Sequence, residues 1–241
     1  MPITVTALPC LSDNYTWLLR APDGRLAICD PGEAGPVIAA VDAAGGKLDL
    51  ILLTHHHGDH VAGVPDLVAR YGAKVMGAKA DAHRLPPLDV VVEPGQTVDV
   101  LGVPAEVLAS DGHTRGHIAY HFPECAILLC GDTLFSLGCG RLLEGTAAEM
   151  FDSLQALAAL PSETLVCCGH EYSESNARFA LTVEPDNAAL RARADEIAVQ
   201  RAEGRATVPT TIGQELDTNP FLRAKDVATL ARIRTAKDNF R

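Results

Sequence analysis

At 241 residues, 47% hydrophobic and 21% charged, the chain has room for one large domain or one domain with an appendage, and its composition excludes disordered and fibrous proteins. A formal charge of −11 and a pI near 5.2 exclude a nucleic-acid-coating protein, which needs surplus Lys and Arg to neutralise phosphates. No apolar run reaches the ~20 residues that cross a bilayer, and Met1 to Ala7 lacks the features of a signal or transit peptide, so a cytoplasmic protein with no membrane partner is expected.

In chain order, short aliphatic or β-branched runs predict strands at Ile3–Ala7, Tyr15–Arg20, Leu26–Cys29, Leu50–Leu53, Lys74–Met76, Thr97–Val100, Ala105–Ala109, Ala126–Leu129 and Thr164–Cys168. Pro22-Asp23-Gly24 between two of them predicts a hairpin, and many strands are expected to meet antiparallel. Apolar residues at i, i+3, i+4 predict helices at Gly35–Ala44, Val64–Tyr71 and Ala147–Ala159. This mixture suits two packed sheets covered by helices, an α/β sandwich of four layers in the order αββα. After His170 strand signals nearly vanish, and helical texture runs through Asn187–Glu203 and onward from Asp226. The expected division is a catalytic domain over 1–171 and a smaller helical subdomain over 172–241. The seven cysteines are odd in number and mostly sit in apolar runs, which predicts buried free thiols in a reducing compartment.

The chemistry concentrates in Thr54-His55-His56-His57-Gly58-Asp59-His60, directly after the apolar Ile51-Leu52-Leu53. Imidazole and carboxylate are the usual ligands of Zn²⁺ and similar ions, and a strand end leading into a loop lets alternate side chains converge. His55 and His57 fit one ion, and Asp59 and His60, on the next turn, reach toward a second. His113, Asp132 and His170 also follow apolar runs, so four strand ends carry metal-binding side chains. Strand alternation turns His56 away from the ions. His117 and Asp30 read as candidates to orient a ligand, His83 and His121 as surface or structural residues.

Thr54-His55-x-His57-x-Asp59-His60, a later His113, Gly131-Asp132-Thr133 and Gly169-His170, in that order, resemble the metallo-β-lactamase superfamily. The resemblance implies that His55, His57 and His113 bind one metal, Asp59, His60 and His170 a second, and that Asp132 bridges them. Gly138-Cys139-Gly140-Arg141, Glu144-Gly145-Thr146, Cys168-Gly169-His170-Glu171-Tyr172, Val183-Glu184-Pro185, Asn219-Pro220-Phe221 and Arg234-Thr235-Ala236-Lys237-Asp238-Asn239-Phe240 are similar to the glyoxalase II (hydroxyacylglutathione hydrolase) family over nearly the whole chain. That implies a thioester hydrolase acting on S-D-lactoylglutathione, as in methylglyoxal detoxification. It also implies two divalent ions, zinc first with iron or manganese as alternatives, Asp59 as proton acceptor, and Arg141, Tyr172, Arg234 and Lys237 as substrate-binding residues. A metal-bridging water, acidified towards hydroxide, would attack the thioester carbonyl.

Two departures stand out. Leu143 takes the place of an aromatic, and Ser110-Asp111-Gly112 that of the commoner Thr-Pro-Gly before the metal-binding His. A mono-iron persulfide dioxygenase is the rival enzyme reading, opposed by the helical C-terminal segment. A non-catalytic metal-binding scaffold that recognises glutathione conjugates is the rival outside enzymes. No sequence feature demands a partner subunit, so a monomer is expected.

Overall fold

The computed structural model describes residues 3–240; Met1, Pro2 and Arg241, the ends of the two expected segments, lie outside it. The first sheet takes its six strands in chain order: β1 (Thr4–Cys10), β2 (Asn14–Arg20), β3 (Leu26–Cys29), β4 (Leu50–Leu52), β5 (Lys74–Ala78) and β6 (Val90–Val92). Antiparallel pairing is limited to β1, β2 and β3, and β3 to β6 run parallel. The reason lies in the connections: α1 (Ala34–Ala43) crosses from β3 to β4, and α2 (Gly58–Val61) with α3 (Val64–Tyr71) from β4 to β5. Strand alternation then sorts the side chains. Leu26, Ile28, Ile51 and Leu53 pack outward against Val37, Val41, Val64 and Leu67 of the helices, while Ala27, Cys29, Leu50 and Leu52 face the second sheet.

The second sheet has the order β14-β13-β10-β9-β8-β7. Its members are β7 (Thr97–Val100), β8 (Val103–Ala109), β9 (Ile118–Phe122), β10 (Ile127–Gly131), β13 (Leu165–Cys168) and the two-residue β14 (Thr210–Thr211), with a separate hairpin β11 (Leu134–Phe135) and β12 (Gly138–Cys139). Helix α4 (Ala147–Ala158) links the hairpin to β13, which pairs parallel with β10. Every residue of β10 is buried, as expected of a strand covered on both faces. The C-terminal segment supplies α5 (Ser173–Val183), α6 (Ala188–Ala202), α7 (Ile212–Thr218) and α8 (Val227–Asp238).

Local chemistry fixes these boundaries. Thr146 and Glu149 form a reciprocal capping box at the start of α4, and Asn187, Thr211 and Asp226 cap α6, α7 and α8 through their side chains. Gly72, at φ 64°, ends α3 in the left-handed conformation. Five strands were not visible in the sequence: β6, β9, the pair β11–β12 and the two-residue β14. β9 buries all five residues and so shows no alternation.

The largest buried cluster runs from the space between the sheets into α4, α7 and α8. Phe221 is one of its anchors, with its ring centroid 6.1 Å from that of Phe179 and the Arg234 guanidinium 5.2 Å above it. Phe221→Ala is expected to destabilise the fold by about 3–5 kcal/mol in urea unfolding. Val199→Ala, on an exposed helix face, is expected to stay within about 0.5 kcal/mol.

Candidate metal centre and the adjoining cavity

The parallel pairs β3–β4 and β10–β13 bring four strand ends to one edge of the sandwich. Asp30 follows β3, His55 lies just beyond β4, Asp132 follows β10 and His170 follows β13. His57 is the N-cap of α2 and carries Asp59 and His60 on its single turn. His113 comes from the loop after β8.

Seven side chains aim their donor atoms inward. His57 Nδ1 stands 3.1 Å from His55 Nε2 and 3.0 Å from His113 Nε2. His60 Nε2 lies 3.4 Å from His170 Nε2 and 3.7 Å from Asp59 Oδ2. Asp132 stands between the two groups, with Oδ2 at 3.4 Å from His113 Nε2 and 3.2 Å from His170 Nε2, and Oδ1 at 3.4 Å from His60 Nε2. A tetrahedral ion with Zn–N bonds of about 2.0–2.1 Å sets its ligand atoms roughly 3.3–3.4 Å apart. Asp132 Oδ1 is buried without a hydrogen-bond partner, which a cation would satisfy. The donors are all nitrogen and oxygen, so this chemistry suits zinc, iron or manganese.

The outer hydrogen bonds explain why the lone pairs point inward. His113 Nδ1 donates to Arg141 O at 2.8 Å, and His170 Nδ1 to Asp13 Oδ1 at 2.9 Å. Asp30 is a buried hub at φ 52°. Its Oδ1 accepts from Thr54 N, and its Oδ2 accepts from Thr54 Oγ1 at 2.7 Å and His60 Nδ1 at 3.2 Å. Because Thr54 gives its proton to Asp30, its oxygen accepts from His55 Nδ1 at 3.0 Å. One carboxylate thus sets the tautomers of two imidazoles in different groups.

Burial pushes the His55 imidazole well below its ordinary value, helped by His60 and His117, and so keeps it neutral. Burial works to raise Asp132, but His60 and His170 outweigh it and hold the carboxyl well below the usual range. For Asp59 burial again acts upward; the Asn14 hydrogen bond at 2.9 Å and the neighbouring His60 and His170 win, and the group is lowered.

His117 is pushed down to about 3 by burial and then by His113; it is neutral, accepts from Asp132 N at 3.2 Å and stacks on His55 with ring centroids 4.7 Å apart. His56 faces away from the cluster, 3.1 Å from Asp81, which also takes Arg84. His121 is buried against Glu106, and His83 is exposed. All seven cysteines are free thiols, six of them buried.

A cavity of about 390 Å³ opens beside His113 and Asp132 and is also lined by Arg141, Tyr172, Arg234 and Lys237. Tyr172 stacks on His170, 4.6 Å between centroids and 5° between planes. Lys237 Nζ donates to Ser175 O and Oγ, both at 3.0 Å, and keeps a third proton. Arg141, its side chain 67% exposed, makes only a long ion pair from Nε to Asp238 Oδ1 at 3.6 Å. Arg234 differs: it is buried and spends its donors on Cys139 O at 2.9 Å and on Asp238 at 2.8 and 3.0 Å. Leu143, 58% exposed, lies outside the lining.

Asp13 and Asn14 went unnoticed in the sequence. Leu11-Ser12-Asp13-Asn14 reads as an ordinary polar turn between strands, and only the tertiary fold reveals the two side chains as supports of His170 and Asp59.

Family models match in two adjoining blocks: the metallo-beta-lactamase superfamily over residues 12–170 and the hydroxyacylglutathione hydrolase C-terminus over 171–240. A protein named hydroxyacylglutathione hydrolase from Acidiphilium cryptum is 56% identical over 98% of this chain and 97% of its own. One of the same name from Ruegeria pomeroyi is 51% identical over the full length of both. Among solved structures, ETHE1 from Myxococcus xanthus superposes with a TM-score of 0.72 at 26% identity, covering 98% of this chain and 90% of its own. TTHA1623, in a di-iron-bound form, gives 0.63 at 29% identity, covering 90% and 99%.

Asp13→Ala removes the acceptor that fixes the His170 ring. It is expected to weaken metal retention by roughly 10–100-fold in competition with a chelator, with the far-ultraviolet circular dichroism unchanged.

Proposed function

The chain belongs to the hydroxyacylglutathione hydrolase family of the metallo-β-lactamase superfamily, and from that premise we propose how its own residues perform the hydrolysis. The enzyme is a metal-dependent hydrolase of hydroxyacylglutathione thioesters. The observation that carries the assignment of roles is the meeting, in one cavity, of Asp132 and His113 with Arg141, Tyr172 and Lys237.

We assign His55, His57 and His113 to one ion and Asp59, His60 and His170 to the other, with Asp132 shared; the two donor clusters support this division. Divalent ions held by these residues would supply the acidity of a bound water and a positive field for the developing oxyanion. Zinc is our first assignment, and the di-iron form of TTHA1623 makes iron the second.

Asp59, kept ionised and oriented by Asn14, accepts a proton of the attacking water. Water oxygen bonds to the thioester carbon, the carbon–sulfur bond breaks, and the electron pair leaves on sulfur. A thiol pKa of ~8.5 makes that thiolate a sufficient leaving group without a dedicated acid. The products are glutathione and a 2-hydroxy acid, D-lactate for the substrate we favour. Arg141 and the third proton of Lys237 hold the peptide carboxylates, Tyr172 offers its hydroxyl, and Arg234 shapes the wall between them.

A single chain is our working unit, since one chain supplies both donor clusters and the cavity lining. Seven unpaired thiols support a reducing, cytoplasmic setting, and no described helix is long and apolar enough to cross a membrane. The proposed division into residues 1–171 and 172–241 is supported by the meeting of the two family models at 170 and 171.

Purified protein is expected to hydrolyse S-D-lactoylglutathione only with metal bound, and Asp59→Ala is expected to lower kcat by about 10²–10⁴-fold. Full metal occupancy without hydrolysis would contradict the assignment.

Lys237 gives a pH signature. Burial, then Arg234 and Arg178, lowers it to about 8, so its charge is present below that pH and lost above it. KM is expected to climb between pH 7 and 9, and in Lys237→Met to start high and lose this dependence.

A further inference from the structure

Between Asp132 and Arg141 the chain makes the hairpin of β11 and β12, whose ladder contains two residue pairs, Leu134 with Cys139 and Phe135 with Gly138. A two-stranded hairpin is marginal on its own even when longer, and Leu137 at its tip sits at φ 58°, a conformation that leucine resists. Yet both ends of this segment enter the centre. Gly140 N donates to Thr133 O at 3.1 Å, and Gly140 packs so closely that a Cβ there would overlap Asp132 O and stand 3.0 Å from the Cβ of His113. Arg141 O receives the proton that orients His113.

What holds the hairpin comes from far along the chain. Phe135 O and Gly138 O lie 3.1 and 3.0 Å from Asn219 Nδ2, Ser136 O accepts from Asn176 at 3.0 Å, and Cys139 O accepts from Arg234. Leu137 N donates to Glu215 Oε2 at 2.8 Å, and the same oxygen takes Asn219 Nδ2 at 2.9 Å. Five consecutive residues are thus pinned by four buried side chains from α5, α7, the turn after α7, and α8. Asn219 and Glu215 are both 0% exposed, where a polar group left without a partner is costly. Neither is itself among the residues that line the cavity.

We propose that the C-terminal segment builds the metal centre as well as the substrate wall. Asn219 and Glu215 are positioning residues that fix, through Leu134–Cys139, the Asp132 carboxylate at one end and the Arg141 carbonyl behind His113 at the other. This rests on the reading of Asp132 and His113 as metal ligands. Its consequence is that damage to this segment loosens metal as well as substrate.

The test compares Asn219→Ala, Glu215→Ala, Glu215→Gln and Asn176→Ala with the parent protein in the full chain. Zinc affinity is measured by chelator competition, and amide exchange is followed over residues 135–140. Asn219→Ala and Glu215→Ala are expected to weaken zinc binding about 10–100-fold, the range seen when outer partners of ligands are removed, with faster exchange across the hairpin. Glu215→Gln is expected to restore binding to within a few-fold, because its amide oxygen accepts from Leu137 N and its NH2 donates to Thr210 Oγ1, now 2.8 Å from Glu215. Should Asn219→Ala yield no folded protein, Asn176→Ala, which removes a single pin, carries the test with a few-fold loss expected. Unchanged zinc affinity in the folded variants, with only a lower unfolding temperature, would overturn the proposal. Asp132→Ala is the control: parent-like zinc affinity there would overturn the ligand reading itself.

Discussion

Seven side chains bring their inward nitrogen and oxygen atoms within 3.0–3.7 Å of their neighbours, and with every inward atom unprotonated, as metal ligation requires, such an arrangement repels itself. Five of the seven, His55, His60, His170, Asp59 and His113, are gripped from behind, and a cation between them would reverse the sign of the interaction. Asp30 behind Thr54, His55 and His60, Asp13 behind His170, Asn14 behind Asp59 and the Arg141 carbonyl behind His113 are those grips. They lie on three separate stretches of the chain, Asp13-Asn14, Asp30 and Arg141, so the site exists only when two sheets and the loops at one edge are assembled.

The layers exist to make that edge. Leu26, Ile28, Ile51 and Leu53 bind the first sheet to α1 and α3, and the residues between them bind it to the second sheet. Buried on both faces, β3–β4 and β10–β13 are fixed in register, and their ends cannot drift apart without exposing core. The C-terminal helices complete the same plan from the other side. Glu171 accepts from Tyr15 on β2 and from Thr207 in the loop between α6 and β14, which fastens the C-terminal segment to the first sheet one residue beyond His170.

Much of this was legible in the sequence because its signals are local. Four histidines in seven residues after an apolar strand cannot be hidden, and strand-then-turn punctuation located Asp132 and His170. Residues whose meaning depends on distant partners were not legible. Asp13 and Asn14 look like turn residues until β1 and β2 are laid beside His170 and Asp59. β9 is buried throughout, His121 included, and lacks alternation, and β11–β12 is too short to show any pattern because its stability comes from side chains about 40 to 95 positions away. Arg234 shows what a motif leaves out: its place in a family motif marks it for the substrate and it does line the cavity, but its burial and three internal bonds are visible only in the fold.

The central claim is that two ions share Asp132. Anomalous diffraction at the metal absorption edge, from crystals of the loaded protein, tests it directly. The account predicts two peaks about 3.5–4 Å apart, one among His55, His57 and His113 and the other among Asp59, His60 and His170, with the Asp132 carboxylate between them. A single peak, or two peaks with Asp132 turned away, would contradict it.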